Sequence, residues 1–196
     1  AVHLIADEIA VGCGRTGTFF ACEQSLDEAG DGWPDFICLS KGITGGTLPL
    51  SLVLSAPAVF DAFLDDTMAR GFLHSHSYTG NPLACRAALA TLELFDQLDI
   101  LQRNRAWAQD FTDALAPLAT HPAARHFRQA GMIWAVDIDA PQLDFSRRYY
   151  REALERGLLL RPLGNTLYFM PPYILDAAQT SQLADGARAA LDAALA

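Results

Sequence analysis

The sequence predicts an α/β protein, because short apolar runs occur between longer segments with the periodicity of helices. Two early runs, residues 2–6 and 36–39, are each closely followed by one charged side chain, Asp7 and Lys41. Such runs are typical of buried strands in a parallel sheet. The length of 196 residues and the apolar share of 51% fit one large domain or two small ones.

The first 115 residues predict three strands, two short helices and one long helical segment. A polar loop at residues 74–82 leads into the long helix, for which Asn81 is a suitable N-cap and Pro82 a suitable first residue. The helical pattern continues to Leu115 with a break near Asp99. The strands are expected at residues 2–6, 36–39 and 50–54, and the short helices at 19–26 and 58–69.

The remaining residues predict a compact α/β unit that follows a break at residues 117–122. Its strands are expected at residues 131–138, 158–161 and 166–170, and its helices at 145–156 and 178–195. The helix at 145–156 has an amphipathic pattern, and the terminal helix is rich in alanine.

Charge and cysteine content exclude several classes of protein. The net charge of −9 and the scattered basic residues argue against binding to nucleic acid or to an anionic membrane. The uncharged run at residues 42–60 contains three glycines and two prolines, so we reject a membrane helix. The four cysteines have no C-x-x-C spacing, so we expect no metal site and reduced thiols in a cytoplasmic protein.

Lys41 is the only lysine among the 14 basic residues. A primary amine can lose its proton or form a Schiff base, and arginine can do neither in a protein. Asp7 follows a neighbouring predicted strand, and open α/β sheets bind ligands beyond the carboxyl ends of their strands. Two interpretations are open on these grounds: a structural ion pair, or the two anchors of pyridoxal phosphate. Residues 77–81 offer hydroxyl groups and a helix start for a phosphate.

Three motifs, in order along the chain, resemble the class III, fold-type I pyridoxal-phosphate aminotransferases. Residues 6–9 (Ala-Asp-Glu-Ile) with the glycine-rich residues 12–17 resemble the aspartate segment of that family. Residues 39–46 (Leu-Ser-Lys-Gly-Ile-Thr-Gly-Gly) resemble the segment of its Schiff-base lysine. Residues 74–82 (His-Ser-His-Ser-Tyr-Thr-Gly-Asn-Pro) are similar to the loop that contacts the cofactor phosphate in the neighbouring subunit.

The resemblance implies a role for each matching residue. Lys41 would be the catalytic lysine, which holds the cofactor and shuttles protons, and Asp7 would pair with the pyridine nitrogen of pyridoxal 5′-phosphate. Ile9 would pack against the ring, and Ser77, with His76 beside it, would bind the phosphate.

The same resemblance implies a substrate pocket. Ser75 stands where the family usually has glycine lining that pocket, and serine adopts a positive φ angle only reluctantly. Arg161 would receive a substrate carboxylate, and Tyr168 would lie in the same pocket wall. The alternative interpretations are a surface arginine and an ordinary core tyrosine. Cys13 departs from the aromatic residue often found at its position.

Three further segments resemble one member of this family, an enzyme of biotin biosynthesis: residues 20–23, 160–164 and 168–174 (Tyr-Phe-Met-Pro-Pro-Tyr-Ile). The implied activity is ping-pong transamination of 8-amino-7-oxononanoate to 7,8-diaminononanoate, with S-adenosylmethionine as amino donor. The alternatives are another class III ω-aminotransferase, acting on ornithine, 4-aminobutyrate or a similar amine, and a catalytically incomplete fragment of such an enzyme.

The family also implies a division into domains and an assembly. Residues 1–115 would be the C-terminal part of the large, mixed-sheet cofactor domain with the long inter-domain helix. Residues 116–196 would be the small C-terminal α/β domain. A homodimer with shared active sites is expected, with small-molecule substrates as the other partners.

Overall fold

The computed structural model describes residues 2–196 and confirms the prediction of an α/β protein. The chain forms two compact units, Ala1–Leu101 and Gln102–Ala196. Each unit contains one three-stranded sheet.

A search of residues 2–196 for a helix with the length and hydropathy needed to span a bilayer found none.

The sheet of the first unit has the order β1-β2-β3. β1 and β2 run parallel, with Asp7 paired to Cys38, and β3 is antiparallel to β2. The carboxyl ends of β1 and β2 therefore meet at one edge of the sheet. The elements of this unit are β1 (Ile5–Asp7), β2 (Phe36–Leu39), β3 (Leu52–Ser55), α1 (Pro57–Phe63) and α2 (Pro82–Gln97).

The helix starts and ends in the first unit follow from local hydrogen bonds. The side chain of Asn81 accepts from the backbone N–H groups of Leu83 and Ala84, which confirms the predicted N-cap of α2. The predicted helix at 58–69 is too long, because α1 ends at Phe63. Shortly beyond it, the Asp65 carboxylate accepts from the N–H of Thr67, a local bond that competes with helical hydrogen bonding.

The second unit has an antiparallel sheet in the order β4-β5-β6. Asp99, at the predicted break, has a φ of +45° and separates α2 from α3. The elements are α3 (Ile100–Ala114), which crosses the boundary between the units, α4 (Ala116–Ala119), β4 (Ala124–Ala130), β5 (Ile133–Ile138), α5 (Phe145–Glu155), β6 (Thr166–Phe169) and α6 (Ala177–Leu195).

The core of the second unit is centred on Trp134, which is fully buried. Its ring stands edge-on to Phe111 with 4.7 Å between ring centroids, and its indole N–H donates to the Thr112 hydroxyl at 2.8 Å. The stacking partner of Phe111 is Trp107. An aromatic core of this kind buries a large apolar area and satisfies its one polar group.

Two predictions for the second unit are wrong. Residues 158–161 form no strand, although Leu158 and Leu160 pack against the core. The strand β4 was not predicted, because most of its side chains are polar and exposed and its pairing with β5 is irregular between Arg125 and Arg128.

Most of α3 belongs to the core of the second unit, since Phe111 and, just after the helix, Leu115 are fully buried there. Residues 102–115 therefore belong to the second compact unit, whereas the sequence predicts them in the first domain. The division of the protein into a large and a small domain stays a prediction.

Candidate active site

Lys41 begins a 3₁₀ turn, Lys41–Thr44, directly after β2. Its side chain is exposed, and its φ of +46° lies in the left-handed region that non-glycine residues rarely occupy. The turn is braced, because the Lys41 carbonyl accepts from the N–H of Gly46 at 3.2 Å and the buried Thr44 hydroxyl donates to the Leu48 carbonyl at 2.6 Å. Such a conformation costs about 1–3 kcal/mol and is typical of functional sites.

Asp7 is the last residue of β1, and its side chain is exposed. Its carboxylate accepts from the N–H of Ile9 at 3.1 Å, and Ile9 is half-buried. Asp7 and Lys41 therefore follow neighbouring parallel strands at the same sheet edge. Within residues 2–196 no ion pair joins the two side chains.

The loop at residues 74–82 is exposed over nearly its whole length. His76 holds it together: its N–H donates to the Thr79 hydroxyl, its ring Nδ1 accepts from the N–H of Tyr78, and the two rings stack. Ser77 lies inside this turn and is exposed. Ser75 has no positive φ, so the conformation of this loop does not require glycine at that position.

Arg161 and Tyr168 lie in the second unit. They line one cleft of about 580 Å³ together with apolar residues that include Leu160, Met170 and Pro172. Arg161 is exposed and Tyr168, on β6, is half-buried. A guanidinium at the rim of an apolar cleft suits a ligand with a hydrocarbon body and a terminal carboxylate.

Cys13, noted only as a departure from the family, contacts the turn that carries Lys41. It is buried with a φ of +54°, and a Cβ atom added at Gly42 would lie 2.9 Å from the Cys13 Cβ. Burial, and then the negative charge of Glu8, raise the pKa of the Cys13 thiol to about 11. A small residue at position 42 is the sequence signal for this close contact.

Glu8 is a second residue whose place was not predicted. It is 3% exposed, and its carboxylate accepts hydrogen bonds from the backbone N–H groups of Ala21 and Cys22, both at 2.7 Å. The sequence offers one signal for it: two acids follow each other at a strand end, and consecutive side chains there point to opposite faces.

The model of one protein family, aminotransferase class III, matches residues 1–191. The chain belongs to the class III aminotransferase family. Members of this family use pyridoxal 5′-phosphate.

Two relatives have the name adenosylmethionine-8-amino-7-oxononanoate aminotransferase. The protein of Helicobacter pylori is 43% identical over 180 residues, which cover 89% of this chain and 40% of the relative. The protein of Synechococcus elongatus is 45% identical over 180 residues, which cover 88% of this chain and 40% of the relative. The chain thus spans about 40% of the length of these proteins. The resemblance noted in the sequence to one member of the family is confirmed.

Solved structures confirm the fold class. The crystal structure of the enzyme of the same name from Methanocaldococcus jannaschii matches with a TM-score of 0.88 at 30% identity, over 97% of this chain and 46% of that one. An aminotransferase from Vibrio fluvialis, described as a PMP-bound form, matches with a TM-score of 0.85 at 27% identity, over 100% of this chain and 45% of that one.

The residues at the sheet edge fit pyridoxal 5′-phosphate chemically. The donor set is one exposed primary amine on a braced turn and one exposed carboxylate on the neighbouring parallel strand. The cofactor needs these two groups, the amine for a covalent bond and the carboxylate for the ring nitrogen.

Proposed function

We propose that the protein is a pyridoxal-phosphate aminotransferase that transfers the amino group of S-adenosylmethionine to 8-amino-7-oxononanoate and so forms 7,8-diaminononanoate. The observation that carries the proposal is the placement of Asp7 and Lys41 at one sheet edge, at the ends of neighbouring parallel strands, in a chain of this family. The names of the relatives from H. pylori and S. elongatus support the choice of substrates.

In this proposal Lys41 is the catalytic residue. When bound, the cofactor supplies an electron sink for the carbanion formed at the substrate carbon. The Lys41 Nζ atom takes a proton from the substrate carbon that carries the amino group and later returns one. The Asp7 carboxylate keeps a proton on the ring nitrogen, since an adjacent negative charge favours the protonated form. Ile9, half-buried beside Asp7, gives the ring an apolar contact.

Ser77 and His76 bind the cofactor phosphate in this proposal, and Ser75 lines the substrate pocket. Their exposure in the present chain supports a role towards a group outside the unit that carries them. We propose that this group is in the neighbouring subunit of a homodimer with shared active sites. We also propose that the enzyme is cytoplasmic and that residues 1–115 and 116–196 belong to its large and small domains.

Arg161 and Tyr168 bind the keto acid in this proposal. The guanidinium forms a bidentate pair with the carboxylate, and the apolar wall of the cleft contacts the chain of the substrate. Replacing Arg161 with Ala is expected to raise the KM for the keto acid more than tenfold, since a charge-assisted pair is lost (about 1.5–3 kcal/mol). Arg151→Ala, an exposed position on α5, is the matched control and is expected to leave the KM unchanged.

The test of the cofactor site is a titration with pyridoxal 5′-phosphate, followed by visible absorption. The protein is expected to develop a bound-cofactor band that Lys41→Ala and Lys41→Arg both lack. The arginine variant keeps the positive charge and cannot form the covalent bond, so it separates charge from chemistry. A band that persists in both variants contradicts the role of Lys41. Absence of a band in the unaltered protein favours the interpretation of a catalytically incomplete chain.

A second candidate function is that of another class III ω-aminotransferase. An (S)-enantioselective ω-transaminase from Thermomicrobium roseum matches with a TM-score of 0.84 at 27% identity. Conversion of the cofactor to its amine form by S-adenosylmethionine, and not by ornithine or 4-aminobutyrate, supports the first proposal. The opposite preference supports the second.

A further inference from the structure

Glu8 is a buried acid that the proposed mechanism does not use. Burial of a carboxylate is costly unless hydrogen bonds stabilise its charge. Here the two carboxylate oxygens each accept one backbone N–H, from Ala21 and from Cys22, at 2.7 Å. Both donors belong to the first turn of the 3₁₀ helix Ala21–Ser25. Charge-assisted bonds of this length are among the stronger ones in proteins, so they fix the side chain of Glu8 in place.

The backbone of Glu8 joins two more segments. Its N–H donates to the Cys38 carbonyl on β2 at 3.0 Å, and its carbonyl accepts from the N–H of Gly12 at 2.9 Å. A Cβ atom at Gly12 would lie 2.9 Å from the Glu8 carbonyl oxygen and 3.1 Å from its Oε2. Glu8 therefore links the end of β1, the sheet, the glycine-rich turn and the turn at residues 21–25.

Asp7, the residue immediately before Glu8, pairs through its backbone with Cys38 of β2, whereas its exposed carboxylate is held by a local bond. The carboxylate accepts from the N–H of Ile9, one residue beyond Glu8, so this bond moves with the same short segment. The position of the Asp7 carboxylate in the unit thus depends on the pairing of β1 with β2 and on the bonds that hold Glu8 in place.

We propose that Glu8 is a positioning residue for the cofactor: its buried carboxylate fixes the strand end from which Asp7 reaches the ring nitrogen. This inference rests on the proposed function, because it assigns Glu8 an effect on pyridoxal-phosphate binding through Asp7.

The test measures the dissociation constant of pyridoxal 5′-phosphate and the pH midpoint of the bound cofactor's absorption. Glu8→Gln keeps the shape of the side chain but turns an NH₂ group towards one of the two N–H donors. We expect it to weaken cofactor binding about tenfold or more. We also expect Glu8→Gln to move the pH midpoint, because the Asp7 carboxylate would shift relative to the ring nitrogen.

The matched control is Glu23→Gln. Glu23 lies in the same turn, and its carboxylate accepts the N–H of Phe20 at 2.7 Å, whereas the Glu8 carboxylate bonds this turn to the segment that carries Asp7. In Glu23→Gln the cofactor affinity is expected to stay within about twofold of that of the unaltered protein. The pH midpoint is expected to stay within about a few tenths of a unit. Gly12→Ala is the second variant, since its Cβ would crowd the Glu8 carbonyl oxygen at 2.9 Å, the Leu39 side chain at 3.0 Å and the Glu8 Oε2 at 3.1 Å, and it keeps the charge of Glu8. It decides the question if Glu8→Gln does not fold.

Loss of affinity with a shifted midpoint in Glu8→Gln or Gly12→Ala, and not in Glu23→Gln, supports the inference. An unchanged affinity and midpoint overturn it, as does an equal loss in Glu23→Gln, and both results leave the proposed function standing. If the unaltered protein binds no pyridoxal 5′-phosphate, the proposed function fails, and this inference fails with it.

Discussion

The contact between Gly42 and Cys13 gives a quantitative prediction for the turn that carries Lys41. In Gly42→Ala the new Cβ would lie 2.9 Å from the Cys13 Cβ, about 0.5 Å closer than the 3.4 Å of an ordinary contact. Because Cys13 is buried with a left-handed backbone, it has little room to retreat. Overpacking of this kind costs about 1–3 kcal/mol.

A double-mutant cycle isolates this contact. Cys13→Gly removes the opposing Cβ, and glycine accepts a φ of +54° without strain. The cost of Gly42→Ala is therefore expected to fall by at least about 1 kcal/mol in the Cys13→Gly background, a coupling typical of residues in direct contact.

Hydrogen exchange of peptides from β2 and the following turn is the assay, because it reports the opening free energy of the first unit separately from the second. Equal costs in the two backgrounds, or a cost below about 0.5 kcal/mol in both, would refute the reasoning. Gly46→Ala separates backbone strain from crowding in the same peptides. Gly46 has a φ of +77°, which strains alanine, but a Cβ there meets no atom within 4 Å.

Three further predictions concern stability and pH. Trp134→Ala is expected to destabilise the second unit by about 3–5 kcal/mol, measured by urea unfolding, because it removes a fully buried ring. Asn81→Ala is expected to cost about 1 kcal/mol in the exchange of α2, through loss of the cap. Hydrogen bonds from Arg128, first, and from Thr166 hold the pKa of Asp137 below its usual value. The contribution of Asp137 to stability is therefore complete above the pKa of the unfolded chain and is lost as the pH falls through the lower pKa of the folded protein. Arg128→Ala is expected to raise that pKa, as measured by NMR titration of the carboxyl carbon.

Much of the fold follows from sequence patterns that are local. The apolar run at residues 36–39 is the strand β2 with the predicted bounds, and Asn81 followed by Pro82 marks the start of α2. In these places side-chain chemistry and burial agree with the backbone conformation, so propensity alone is sufficient.

The errors in predicted secondary structure occur where contacts between residues distant in sequence decide the conformation. Leu158 and Leu160 pack on the core without a partner strand, and polar β4 is a strand because β5 supplies its hydrogen bonds. A sequence pattern records burial and not pairing, so it does not separate these cases.

The candidate site shows the same limit. Asp7 and Lys41 were predicted to share one sheet edge, because each follows an apolar run and the carboxyl ends of parallel strands meet. The positive φ of Lys41 was not predicted, since lysine has no preference for that region. The burial of Glu8 depends on N–H donors more than ten residues away, which no local pattern reveals.

The central claim is that Lys41 holds pyridoxal 5′-phosphate covalently. The direct measurement is reduction of the cofactor-loaded protein with borohydride, followed by digestion and mass spectrometry of the peptide that contains residue 41. Lys41 is the only lysine of this chain, so we expect the added cofactor mass on that peptide and its absence in Lys41→Arg. An unmodified Lys41 peptide from protein that has bound the cofactor would contradict the covalent role of Lys41.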